Sequence, residues 1–190
     1  ALKGMEIALY DIDGQRLEQS AAILEAINKG NGCPASIRSY LGAENRRKAL
    51  SGADFVINAI QVGGYDPCTI TDFEIPKKYG LRQTIADTLG IGGIMRALRT
   101  IGDTLGIGGI MRALRTIPVL EDFARDMEAV CPNAWFLNYT NPMSMLTGYM
   151  LRYTGVKTLG LCHSVQTCSK TLMDAIGMSD RLEGRRELIA

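Results

Sequence analysis

Net charge is the first thing this sequence has little of: Lys and Arg total 21 against 20 Asp and Glu, leaving a formal charge of +1. Such a chain has no overall pull toward nucleic acid or an anionic membrane. Two local basic clusters, Arg46-Arg47-Lys48 and the stretch from Arg181 to Arg186 broken by Glu183, are expected on solvated helix surface. No apolar run reaches the roughly 18 to 20 residues of a membrane span, and the N-terminus carries no signal-peptide pattern. Cysteine is sparse and odd in number: Cys33, Cys68, Cys131, Cys162 and Cys168 have no framework-like spacing. A disulfide scaffold is excluded, and a reduced, cytoplasmic setting is expected.

What is present is an ordinary globular composition, 46% hydrophobic and 22% charged over 190 residues, enough for one domain with a core. Met5 to Tyr10 reads as an apolar strand closing on Asp11-Ile12-Asp13-Gly14, and an amphipathic helix from about Gln15 to Asn28 follows. In a dinucleotide fold, an acid at the tip of an early strand accepts hydrogen bonds from a ribose diol. Either aspartate suits that role or the helix N-cap; we assign Asp11 to the ribose and Asp13 to the cap. Residues 35–40 form a weak strand and 44–50 a short helix. Ala53 to Ile60 is a buried strand ending in Gln61-Val62-Gly63-Gly64, where paired glycines let a ligand approach the backbone closely. Residues 72–79 are expected to be helical.

The segment Asp87 to Ile101 then recurs letter for letter as Asp103 to Ile117, so residues 85–116 hold a tandem duplication. Two identical copies do not make a solenoid, and an outward bulge or redundant helix is expected. The Gly-Ile-Gly-Gly in each copy follows no strand and is read as a glycine-rich loop capping a helix, not a phosphate cradle. Arg96 and Arg99, with Arg112 and Arg115, stand at i,i+3 spacing on a helix whose default is surface. Ile117-Pro118 opens a long amphipathic helix through Val130, with proline in its first turn.

The chain is organised around residues 131–164. Strand, turn, helix and strand succeed one another there, with Asn138, Asn141, Cys162 and His163 where the strands stop. Met143, Met145 and Met150 on the intervening helix read as core filler. In an open parallel sheet, carboxyl ends of strands are where ligands sit, so these clusters define a candidate active site. The fold expected is α/β: a Rossmann-like, doubly wound, mainly parallel sheet. No glycine-rich turn precedes Met5, so either a different α/β fold is expected or the first β-α unit, which cradles a pyrophosphate in such folds, is expected to be missing.

The run Pro132-x-Ala134-x-Phe136-Leu137-Asn138-x-x-Asn141-Pro142, with Thr147 and Lys157-x-Leu159-Gly160-x-Cys162, resembles the signature of glycoside hydrolase family 4. Tyr10-Asp11-Ile12-Asp13, Asn58-Ala59-x-Gln61-x-Gly63-Gly64-Tyr65 and Asp87-Thr88-x-Gly90 also resemble that family, particularly its α-galactosidase and α-glucosidase branch. The resemblance implies an NAD-dependent glycosidase that departs from the two-carboxylate scheme. A sugar C3 hydroxyl is oxidised by bound NAD, the C2 proton is removed, the C1 oxygen is eliminated, water adds, and the hydride returns. A divalent metal, usually manganese, polarises the C3 ketone.

Carried onto this sequence, the resemblance makes Cys162 the metal ligand and Asn141 a substrate ligand, with Asn138 behind it. Asp87 becomes an acid near the reacting centre, with Asp103 as its copy, and Asp11, Asn58, Gln61 and Gly63 become the cofactor contacts. His163, the only histidine, is read as facing a non-phosphorylated sugar. A second metal-ligating histidine is implied further along, and none follows His163. The C-terminal domain holding the catalytic base and much of a homo-oligomer contact is also expected to be absent. The chain is therefore expected to be an internal, inactive fragment: a partial NAD-binding Rossmann-like domain over residues 1–190. Its partners are expected to be a small sugar, with neither nucleic acid nor membrane. The competing readings are a lactate or malate dehydrogenase-like oxidoreductase and a non-catalytic α/β binding module.

Overall fold

A computed structural model describes residues 4–30, 32, 35–80, 107–162 and 171–177. Strand β1 (Glu6–Asp11) leads into helix α1 (Gly14–Gly30), then β2 (Ser36–Leu41). A short 3-10 turn at Ala43–Asn45 feeds α2 (Arg46–Leu50), and β3 (Phe55–Asn58) follows. A wide turn over Gly64–Thr69 enters α3 (Ile70–Lys78). The long α4 (Ile107–Val130) precedes β4 (Trp135–Asn138), α5 (Met143–Tyr153) and β5 (Lys157–Gly160).

Every strand pairing is parallel, as alternating strands and helices require. The strands form two sheets, β1-β2 and β3-β4-β5, where one was expected. The doubly wound order 3-2-1-4-5-6 accounts for the split: these are its two arms, and among the described residues no strand fills the centre. One helix layer unites them. Helix α4 packs on α2, α3 and α5, and the core it anchors includes Leu120, Phe123, Met127, Phe136, Leu146 and Met150. Tyr10 of β1 reaches that layer edge-on, its ring 5.7 Å from that of Phe123. Helix α1 lies on the opposite face, where Leu17 and Ala21 share a cleft with Ser39 and Leu41 of β2.

Asp13 does cap α1: its Oδ1 accepts the Arg16 N–H at 3.1 Å. Met150 is fully buried and Met145 packs on the core, so the methionines are filler as expected. Three expectations need correction. Residues 107–117 of the second copy are no bulge; they form the first half of α4 and bury Ala113 and Thr116, while the first copy lies outside the described residues. Pro118 therefore stands inside α4, at an exposed position one turn beyond the exposed Leu114. Nor is the basic cluster on α2 merely solvated. Arg46 and Arg47 each donate to Asp126 at 2.6 Å, and the Arg46 guanidinium lies 5.0 Å over the Phe123 ring. Burial opposes the charge on Asp126, yet hydrogen bonds from Arg47 and Arg46 prevail and hold its carboxyl below the ordinary range.

Candidate active site at the strand ends

The register sets Asn58, Asn138 and Gly160 side by side, each the last residue of its strand. Parallel strands that end level leave their terminal side chains within mutual reach, and here they interlock. Asn58 Nδ2 donates to Asn138 Oδ1 at 2.9 Å and to Thr140 Oγ1 at 3.0 Å. Asn138 Oδ1 also accepts the Thr140 N–H, while its Nδ2 donates to Thr147 Oγ1 at 3.1 Å and to the Thr140 carbonyl at 3.3 Å. Thr140 Oγ1 donates onward to the Ile60 carbonyl. With no exposed surface and both ends of its amide satisfied, Asn138 is a brace beneath the site and has nothing left to offer a sugar. Asn58, almost as buried, belongs to the same brace. Gly160 completes it, because a Cβ there would collide with Met143 and with Thr147 Oγ1.

The loop after β3 is clamped from behind. Gln61 Nε2 donates to Thr69 Oγ1 at 2.9 Å, and Thr69 Oγ1 donates to the Gly64 carbonyl, so Gln61 also works within the protein. Gly63 has φ +85°, and a Cβ there would lie 2.5 Å from Cys68 Sγ. Its missing side chain makes room for Cys68 and Arg115, which corrects the expectation that a ligand takes that space. Gly64, at φ +66°, has open space where a side chain would be, and is the glycine a ligand can approach. Arg115 joins three elements: Nε donates to the Val62 carbonyl at 3.2 Å, and Nη2 donates to the buried Asp72 of α3 at 2.7 Å. That hydrogen bond raises the Arg115 pKa above its ordinary value. An arginine expected at the surface is instead the rivet of the loop.

Asp11 ends β1 as a carboxylate held ready-charged. Arg16 donates to it through Nε and Nη2, each at 2.7 Å, and the Asp13 N–H adds a third bond at 3.0 Å. The Arg16 hydrogen bonds are the main reason its pKa falls below the ordinary carboxylate value. Arg16 is 59% exposed, so it can swing aside and release both oxygens. Asn141 lies three residues past β4 and Cys162 two past β5, on neighbouring strands at the same end of the sheet. Both are half-buried, and Cys162 is a free thiol. Among the described residues, no three of His, Cys, Asp and Glu gather to hold a metal ion. His163, Asp87 and Asp103 lie outside those residues.

Sequence reasoning did not single out Thr140, Thr69 or the Asp72–Arg115 pair. Asp72 carried a legible signal, an acid four residues before Pro76 on the buried side of α3, but its partner lies 43 residues away.

Fold and site together define a doubly wound α/β domain whose polar groups converge on the carboxyl ends of one parallel arm. Its family follows from comparison with known proteins. The family model described as family 4 glycosyl hydrolase matches residues 1–103 and again 100–178, breaking where the two duplicate copies join. The chain belongs to the family 4 glycosyl hydrolases. It is 57% identical over 186 residues to an α-galactosidase of Bacillus subtilis (strain 168), covering 97% of this chain and 39% of that relative. An α-galactosidase of Rhizobium meliloti (strain 1021) is 36% identical over 180 residues, 94% of this chain and 33% of the relative. The solved 6-phospho-β-glucosidase of Thermotoga maritima, crystallised with manganese, NAD+ and glucose-6-phosphate, superposes with a TM-score of 0.70 at 22% identity. That superposition covers 91% of this chain and 37% of the other, a likeness of fold. The chain thus spans about two-fifths or less of the length of these relatives.

Proposed function

We propose that this chain is the NAD-binding portion of a cytoplasmic glycosidase that cleaves non-phosphorylated α-glycosides, α-galactosides foremost, through transient oxidation at sugar C3. The observation that carries this reading is the 57% identity to an α-galactosidase across 97% of the chain. A dehydrogenase of lactate or malate type is not favoured by a glycosyl hydrolase family match that extends over both halves of the chain.

NAD, when bound, supplies the two-electron couple that takes a hydride from C3 and returns it. Two features of the chain suit that cofactor: a charged Asp11 at a strand tip, and the open backbone of Gly64 in a loop that Arg115 holds fixed. Asp11 accepts hydrogen bonds from a ribose diol once Arg16 turns outward. Asn141 is assigned to sugar hydroxyls, with the brace of Asn58, Asn138 and Thr147 fixing the strand end from which it projects. Cys162 is the donor the family resemblance assigns to a divalent cation, and no three of His, Cys, Asp and Glu gather among the described residues, so no step is derived through the metal. Asp87 and His163 keep the roles the family resemblance gives them, near the reacting carbon and facing the sugar.

Grafting residues 1–190 into the Bacillus subtilis α-galactosidase, in place of the matching stretch, tests the proposal. Hydrolysis of an α-galactoside should require NAD and a divalent metal, exchange the sugar C2 hydrogen with deuterium oxide, and fall at least a hundredfold in Cys162→Ser. Hydrolysis that persists after chelation and without C2 exchange would sink the oxidation–elimination reading.

A further inference from the structure

Asp11 is already too fully engaged to receive a ribose as it stands. A carboxylate has about four acceptor sites. Three are taken: Oδ1 accepts the Asp13 N–H at 3.0 Å and Arg16 Nη2 at 2.7 Å, and Oδ2 accepts Arg16 Nε at 2.7 Å. A ribose diol brings a pair of donors and finds a single site open. Arg16 must therefore give way as the ribose arrives.

How far the arginine can go is bounded by its own main chain. Arg16 belongs to the first turn of α1, where Asp13 Oδ1 holds its N–H at 3.1 Å. The displaced guanidinium thus stays within one side-chain length of the Asp11 carboxylate. The strand end beneath is pinned as well, because the Gly42 N–H donates to the Asp11 carbonyl at 2.9 Å. One place on the molecule therefore holds a fixed anion and a tethered cation, and the cation is a planar fork of N–H donors, the shape that matches a phosphate.

These two groups answer oppositely to a dinucleotide that carries a phosphate on its ribose 2′ oxygen. Asp11, charged and set to receive a hydroxyl, repels that phosphate, and like charges brought face to face reject a ligand strongly. Glu44 adds to the repulsion, since its carboxylate folds against Gly42, beside the Asp11 carbonyl. Arg16 has the chemistry to bind the phosphate, but its fork is spent on Asp11.

We infer that Arg16 is a latent phosphate-binding residue silenced by Asp11, and that this pair sets the choice between NAD and NADP. The inference rests on the cofactor reading above and extends it to a residue outside the assigned contacts. One change at position 11 then suffices to turn the preference over, with no remodelling of the loop.

The test uses the grafted α-galactosidase described above, titrated calorimetrically with each dinucleotide in the absence of sugar, so that binding is read apart from turnover. The unaltered graft should bind NAD at least about a hundredfold more tightly than NADP. Asp11→Ser removes the repelling charge and releases Arg16. Its NADP affinity should rise at least about thirtyfold while its NAD affinity falls about tenfold. Asp11→Asn keeps an acceptor for the Asp13 N–H, guards against a folding defect, and should shift the ratio in the same direction. Adding Arg16→Ala to Asp11→Ser isolates the arginine: at least about tenfold of the gained NADP affinity should disappear. Three results would overturn the inference: equal binding of NAD and NADP by the unaltered graft, no gain of NADP affinity in either single variant, or a gain that Arg16→Ala leaves undiminished. In each of these NAD still binds and the cofactor reading stands. A graft that binds neither dinucleotide overturns both.

Discussion

The two arms of the molecule are built to different standards. In the β3-β4-β5 arm, the inward-facing residues are among the most buried in the chain, Phe136 and Asn138 with no exposed surface, and α4 and α5 cover that face. In the β1-β2 arm, no residue of either strand is fully buried, and Leu17 is the one buried residue of α1. The first arm has its own core, whereas the second borrows one through Tyr10 and the α2 arginines. The difference teaches where the site's rigidity comes from: Asn141 and Cys162 stand on a braced platform, while Asp11 stands on an arm tied to it by a few contacts.

Emptying the core of the strong arm should produce the largest effect. Phe136→Ala removes a fully buried ring and is expected to cost about 3–5 kcal/mol, read as a lower urea midpoint. A loss below about 1 kcal/mol would mean this arm is as loosely built as the other.

The polar brace comes next. Asn138→Ala leaves the Asn58 amide and the Thr140 N–H without their shared acceptor, at about 2–3 kcal/mol. Combined with Asn58→Ala, it should show a coupling of about 1 kcal/mol in a double-mutant cycle. Strict additivity would show that the two amides do not act as one unit.

The junction between the arms titrates. Asp126 has its folded pKa below the unfolded value, so its pairing with Arg46 and Arg47 contributes stability above the usual aspartate pKa of about 3.9 and loses it as pH falls further. Wild-type stability should therefore drop as pH is lowered from about 5 to 3, and Asp126→Asn should flatten that slope. An unchanged slope would place the acid sensitivity elsewhere, Asp11 being the next candidate.

How much of this was legible beforehand follows from the range of each interaction. The strands, the Asp13 cap and the methionine filler rest on neighbours a few residues apart, and sequence pattern reads those. The family signature likewise marked Asn138 and Asn141 as a pair. It did not reveal that Asn138 turns inward to Thr147 while Asn141 remains half-buried at the strand end, because both are asparagines after a strand. Asp72 with Arg115 and Arg46 with Asp126 join positions 43 and 80 residues apart. A charged residue on a helix looks like surface until its partner is placed.

The smallest expected effect separates the arms most cleanly. Asp13→Ala removes the cap that accepts the Arg16 backbone N–H, at about 1 kcal/mol. Because α1 touches β1 and β2 and makes no substantial contact with the helices of the other face, the loss should stay local. Amide exchange should quicken along residues 14–30 and in β1 and β2, and stay unchanged in α4, β4 and α5. If all elements quicken equally, the chain unfolds as one cooperative unit. The thin arm would then share the core's stability, and the rigidity of Asp11 would match that of Asn141.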